Sequence, residues 1–387
     1  MAHVQFVVSS VVGAEYSSSK AKYQFAKYLV DEHQTTILAR MPIEDESIAD
    51  NADVRMPPGG VYLRTLLFPI YAMSFLLLGR TQTDIVATDR SGDAILPVAI
   101  FRWVLAPWVI MCPDSPDEKR NSREWNQNSI DLDLIHERLM DRVAWYGYRR
   151  ADRVVLSDET NLIEDRKKTV VRGGVDCEAV DAVRSETEFS AGDTVKIVYV
   201  GNMYYHRGID TLFDALKQCE ADVEVLLIGP GPEAGGSTTA RKFKTYVGSS
   251  MKTAIADLPM DCRYLGMLPH KETIAEMLAA DIGICLLPYE RGRPDFRHSY
   301  PIKVFEYMYT ETAVVATRTP ATEDLLDDPQ LVPTEDPAVV AETIDRLATN
   351  DNLREQCQRR NAAAVKPHCW DVLRNDIDDA INQLIDD

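Results

Sequence analysis

Short β-branched runs alternate with stretches of helical periodicity along the chain, a pattern that predicts parallel sheets covered by helices on both faces. In the first half the runs predict strands near Val4–Ser9, Thr35–Ala39, Asp84–Ala87, Trp108–Cys112, Arg153–Leu156 and Thr169–Val171. A polar stretch from Asp181 to Thr194 reads as a linker. Beyond it a second series predicts strands near Lys196–Val200, Glu224–Ile228, Cys262–Leu265, Ile282–Leu286 and Ala313–Thr317. From Ala338 onward the chain reads as wholly helical, with Val372, Ile377, Ile381 and Ile385 at near-helical spacing as a packing stripe on an acidic last helix.

The expected fold class is α/β, with two Rossmann-like, doubly wound domains facing a central cleft. The expected divisions are an N-terminal domain over 1–180, a linker over 181–195, a C-terminal domain over 196–365, and a final helix over 366–387 that packs back on the first domain. The length of 387 residues suits this division, since a domain takes about 150 residues. Ligands of such sheets sit outside the carboxyl ends of the strands, where the strand order reverses.

Composition narrows the function classes. Hydrophobic residues make up 45% and charged residues 27%, which is enough apolar material for packed cores. The 42 basic and 61 acidic residues leave a net charge of -19, which repels polyanions and makes nucleic acid an unexpected partner. An acidic surface in which Arg outnumbers Lys is also expected of a protein from a high-salt cytoplasm. The 7 cysteines are scattered without a C-x-x-C, so neither a disulfide framework nor a zinc site is expected and a reducing cytosol fits. Met1 to Ser10 does not read as a secretory signal, which makes a cytoplasmic location the expectation. Thr65 to Gly79, about 15 residues, spans roughly 22 Å as a helix and is too short to cross about 30 Å of hydrocarbon. The histidines show no HExxH and no metal site is expected, with His270 and His298 isolated in sequence.

Candidate chemistry gathers after the strands. Gly201-Asn202 directly follows the strand Lys196–Val200 and leads through Arg207-Gly208 to a helix. A glycine there lets a ligand approach the backbone, the helix start offers N–H groups to an anion, and Arg207 adds positive charge. An ordinary tight turn is the alternative. Gly229-Pro230-Gly231-Pro232-Glu233 lacks G-x-G-x-x-G, which argues against a dinucleotide oxidoreductase. The stretch Arg297 to Met308 carries His298, Tyr300, Pro301 and Ile302 into a helix whose first turn bears Lys303 and Glu306 three residues apart. A carboxylate there can accept from two sugar hydroxyls while the free N–H groups hold a diphosphate; a helix-start ion pair is the alternative. In the first half, Asp114 and Ser115 follow a buried strand, where Asp114 can orient or deprotonate an acceptor hydroxyl, unless Pro-Asp-Ser-Pro is only turn chemistry. Gly13, in the loop after the first strand, is a second acceptor-side candidate.

These segments together resemble the nucleotide-sugar domain of retaining glycosyltransferases of family 4, which have the two-domain GT-B fold. The matching stretches are VYVGNMYYHRGIDTL from Val198, VLLIGPGPE from Val225, RYLGMLPHKETIAEMLAADIGICLLPY from Arg263, SYPIKVFEYM from Ser299 and AVVATRTPATEDLL from Ala313. The first half matches only in outline. The resemblance implies that Glu306 binds the donor's ribose and Arg207 its diphosphate, that Met267 and Leu268 line the base pocket, and that backbone around Tyr300, Pro301 and Ile302 holds the phosphates beside Lys303. This chain departs from the pattern at His298, where many members have a glutamate touching the sugar, and at Asn202, where members often have arginine. It departs also at Thr310-Glu311, where a small residue and glycine are usual. Glu290 or Asp295 are the substitutes on offer for the first.

The implied activity is retaining transfer of a hexosyl group from a UDP- or GDP-linked sugar, without metal or cofactor. The implied acceptor is a glycan or a polyprenyl- or dolichyl-linked carrier in surface polysaccharide or glycoconjugate synthesis. The apolar helix from about Tyr62 to Leu78 either touches the inner face of the cell membrane, as in members that glycosylate lipid carriers, or is core. Two other readings share the fold: a sugar-nucleotide epimerase and a non-catalytic nucleotide-sugar-binding subunit.

Overall fold

The computed structural model describes residues 1–9, 12–13, 20–112, 132–157, 163–187, 194–204, 207–232, 247, 250–288, 300–333 and 335–386. The chain forms two compact units, one of Met1–Gly173 with Trp370–Asp387 and the other of Gly174–Cys369.

The first unit is built on seven parallel strands: β1 (His3–Val8), β2 (Gln34–Ala39), β3 (Asp53–Arg55), β4 (Ile85–Asp89), β5 (Trp108–Cys112), β6 (Arg153–Leu156) and β7 (Lys168–Val170). They lie in the order β3-β2-β1-β4-β5-β6-β7. Successive side chains of a strand point to opposite faces. Val4, Phe6 and Val8 therefore enter one apolar core and Val7 the other. Burial on both faces explains why these strands read as continuous apolar runs.

The second unit repeats the plan with six strands: β8 (Val195–Val200), β9 (Val223–Ile228), β10 (Asp261–Gly266), β11 (Ile282–Cys285), β12 (Ala313–Thr317) and β13 (Leu331–Val332). Their order is β10-β9-β8-β11-β12-β13, all parallel. Strand order thus reverses between β1 and β4 in one unit and between β8 and β11 in the other. Two Rossmann-like sheets are what the alternating pattern predicts. The strands it misses, β3 and β13, are short and lie at sheet edges.

Three expectations change. The stretch read as a linker begins inside the helix Cys177–Glu186, which buries Cys177, Val180 and Val183 in the second unit. In the last helix, Trp370–Asp386, Ile377 and Ile381 are buried as the stripe requires, but Val372 and Ile385 are exposed. Trp370, Leu373 and Leu384 complete the face that packs into the first unit's core, and Tyr28 donates to Asp378 Oδ1 at 2.6 Å. Finally, the helix containing Thr65 to Gly79 begins earlier, at Val61, and its 19 residues make it long and apolar enough to cross a membrane by length and composition. It buries Phe68, Ala72 and Leu76 against the first unit, while Tyr62, Leu66, Ile70 and Leu78 lie exposed along the opposite stripe.

The cysteine expectation is corrected too. Cys177 and Cys369 form a disulfide across 192 residues, a separation at which sequence carries no pairing signal. The fold brings them together because Val175 and Cys369 bridge as parallel backbone at the two ends of the second unit. Reduction, or Cys369→Ser, is expected to lower the thermal midpoint, since opening so long a loop returns entropy to the unfolded chain worth ~2–5 kcal/mol. Calorimetric scans with and without reductant check this, and identical midpoints contradict it.

Candidate functional site

In the second unit the strand-order reversal lies between β8 and β11, and the candidate residues collect at the carboxyl ends of those strands. The loops there are tied to one another through the backbone. Gly201 N–H donates to Ile228 O at 2.9 Å, Met203 N–H to Pro230 O at 3.0 Å, and Gly229 N–H to Gly266 O at 2.7 Å. Tyr264 adds its hydroxyl to Gly229 O at 3.0 Å. These bonds show Gly229 acting as a structural turn that joins three strand ends.

Gly201 has φ 142, a conformation that L side chains rarely adopt, and a Cβ placed on it would lie 3.3 Å from Lys303 Nζ. The residue thus turns the chain sharply after β8 and leaves room for the lysine amine. Asn202 contributes its carbonyl, which accepts from Tyr199 Oη at 3.1 Å.

Lys303 and Glu306 stand on the helix Ile302–Tyr309, with Pro301 at its N-cap. Two contacts set this helix against the sheet. Tyr307 accepts the Val200 N–H at 2.9 Å, and its ring lies over Gly283, where any Cβ would collide with it. Glycine in the middle of β11 therefore lets the helix approach closely enough to bring its first turn to the end of β8. Tyr300, just before the helix, stacks on Phe305 and donates to Asp324 Oδ2 at 2.6 Å.

Two cationic side chains, Lys303 and Arg207, act on each other in this locale. Lys303 Nζ lies 4.1 Å from the Tyr199 ring centroid. Burial lowers its pKa to about 8; Cys285 and Glu306 act in the opposite direction, and the positive charge of Arg207 acts with burial. Arg207 also acts on Tyr199 and Cys285, so the three side chains Lys303, Arg207 and Tyr199 share one locale. The Tyr199 hydroxyl is pushed far above its ordinary range by burial.

Glu306 is only 4% exposed, and its Oε1 lies 3.1 Å from His270 Nε2. The carboxylate is therefore covered but held in a polar setting. The isolation of His270 in sequence is misleading. It opens the helix His270–Leu278, directly after Met267, Leu268 and Pro269, and the fold carries it to Glu306. Met267 is 48% exposed and Leu268 packs partly against the apolar core.

The structure thus brings Gly201, Asn202, Arg207, Lys303 and Glu306 to the carboxyl end of the second sheet and adds Tyr199, Cys285 and His270. Asp114, Ser115, His298, Glu290 and Asp295 lie outside the described residues. Gly13 belongs to the first unit and faces Glu44, whose Cβ would stand 3.0 Å from a Cβ at Gly13. At that unit's own reversal, between β1 and β4, sequence reading missed a hydrogen-bonded set. The buried Asp89 accepts from Ser9 N–H at 3.1 Å and Ser91 N–H at 2.9 Å, and Arg40 Nη1 lies 2.9 Å from Asp93. At the departure Thr310-Glu311, Glu311 has φ 60, so the backbone keeps the left-handed turn for which glycine is usual.

Residues 194–350 match the family Glycosyl transferases group 1. Among curated proteins, the phosphatidyl-myo-inositol mannosyltransferase of Mycobacterium leprae (strain TN) is 29% identical over 319 residues, covering 79% of this chain and 69% of that protein. Among solved structures, sucrose-phosphate synthase from Thermosynechococcus elongatus superposes with a TM-score of 0.72 at 15% identity, over 99% of each chain. Anabaena Alr3699/HepE in complex with UDP and glucose gives a TM-score of 0.68 at 14% identity, over 99% of this chain and 100% of that one. At such identities the structures speak for the fold. Residues 194–350 thus match the Glycosyl transferases group 1 family, and the chain that contains them has two Rossmann-like units, the GT-B fold.

Proposed function

We propose that this chain transfers a hexosyl group, with retention at the anomeric carbon, from a UDP- or GDP-linked sugar to a lipid-anchored acceptor at a membrane surface. The observation that carries the donor half is the meeting of Lys303, Arg207 and the glycine turn at Gly201 beside the N-terminus of the helix Ile302–Tyr309. As the glycosidic bond breaks, negative charge grows on the departing diphosphate. Two cations and the N–H groups of the first helical residues stabilise that charge where it develops. Two fixed positive charges can offset the charge of a leaving diphosphate without a divalent ion, which supports a reaction independent of metal. Glu306 takes the ribose hydroxyls, and the exposed Met267 meets the base. The UDP in the Anabaena complex supports a nucleotide donor for this fold.

The acceptor half rests on the exposed stripe Tyr62, Leu66, Ile70 and Leu78, flanked by Arg64 and Arg80, and on the lipid in the name of the mycobacterial relative. An apolar face bordered by arginines suits the interface of an anionic bilayer. The stripe Phe68, Ala72 and Leu76 anchors the same helix in the first unit, so the helix lies along the surface with its outer face toward lipid.

The test incubates the protein with UDP- and GDP-sugars and vesicles containing polyprenyl phosphate or phosphatidylinositol, and measures the nucleoside diphosphate released. Release with one sugar that depends on the vesicles is expected; no release with any combination contradicts the proposal. In parallel, Leu66→Glu with Ile70→Glu should cut co-sedimentation with anionic vesicles at least fivefold, and pelleting equal to the parent removes the membrane half.

A further inference from the structure

We propose that His270 is a positioning residue, whose imidazole holds the Glu306 carboxylate in the orientation that receives the donor's ribose. The inference rests on the donor site described above. Both side chains are nearly covered, with 10% of His270 and 6% of Glu306 accessible, and they meet at 3.1 Å. A carboxylate at that depth is costly unless charge-assisted hydrogen bonds compensate it, and a partner that compensates it also selects its rotamer. His270 is well placed for this. It is the first residue of the helix His270–Leu278, which is anchored by Ile274 and Met277 in the core of the second unit, while Thr273 N–H and Oγ1 both bond to Pro269 O. The imidazole is therefore carried by a rigid element, whereas Glu306 arrives from a different helix. The contact joins the loop bearing Met267 and Leu268 to the residue beneath the ribose. A shift of that loop on meeting a base is passed directly to the carboxylate that grips the adjoining sugar.

Positioning predicts effects that a purely structural contact does not. His270→Phe keeps the volume and removes the hydrogen bond, and should raise the KM for the nucleotide-sugar and the Kd for UDP or GDP at least tenfold, with kcat changed less than threefold. His270→Gln places an amide near the original Nε2 and should recover most of the lost affinity. Adding His270→Phe to Glu306→Ala should weaken nucleotide binding no further, because the histidine acts through the glutamate. Parent-like affinity in His270→Phe, no recovery in His270→Gln, or additive losses in the double variant would each overturn the inference. Should the phenylalanine variant not fold, the parent carries the test: the imidazole 15N resonances of His270 should move on titration with UDP or GDP, and unmoved resonances at saturation overturn it. If instead Glu306→Ala alone binds nucleotide like the parent, the donor-site reading itself fails.

Discussion

Glu306→Ala is expected to abolish measurable transfer and to weaken UDP or GDP binding by about 100-fold or more. The carboxylate is expected to accept from two ribose hydroxyls, and each hydrogen bond to a charged group contributes ~1.5–3 kcal/mol. Its loss also leaves the covered His270 imidazole without the partner it meets at 3.1 Å. The fold should survive, since Glu306 sits on a helix fixed independently by Val304, Phe305, Tyr307 and Met308, all of them buried in the core. Turnover with the cognate sugar, calorimetric titration of the nucleotide and a thermal scan separate the outcomes. Parent-like turnover would remove Glu306 from the site.

Lys303 gives the second large effect, and one with a sign in pH. Burial lowers its pKa to about 8. The amine is therefore charged below that pH and loses its proton as pH rises through it. A diphosphate binds best to the charged form, so nucleotide affinity should be flat below about 8 and should fall above it, approaching tenfold per pH unit. Lys303→Met should lower affinity at pH 7 by at least tenfold and abolish this pH dependence. Titrations of UDP or GDP from pH 6.5 to 9.5 on parent and variant provide the check; parallel curves would show that another group titrates.

The fold was legible because both sheets are buried on two faces, so that strands such as β5 and β12 stand out as bounded apolar runs. What escaped notice lacks that signature. β3 has only Asp53, Val54 and Arg55 and β13 only two residues, too few to show a period. The candidate site was legible where chemistry and chain proximity coincide, as with Lys303 and Glu306 on one helical turn. It was illegible where the partner comes from a distant element: His270 lies 36 residues from Glu306, and Cys177 lies 192 from Cys369. The dense packing of Tyr307 on Gly283 likewise cannot be read from either residue alone. Glu311 is the converse case, where composition suggests a departure and the backbone shows none.

The most direct measurement is a crystal structure of the full chain with UDP or GDP bound. The diphosphate should lie within hydrogen-bonding reach of Lys303 Nζ and the backbone N–H groups opening the helix Ile302–Tyr309, with the ribose hydroxyls on the Glu306 carboxylate. A nucleotide seated elsewhere, for instance over Ser9 and Asp89 at the end of β1, with Glu306 untouched, would contradict the account.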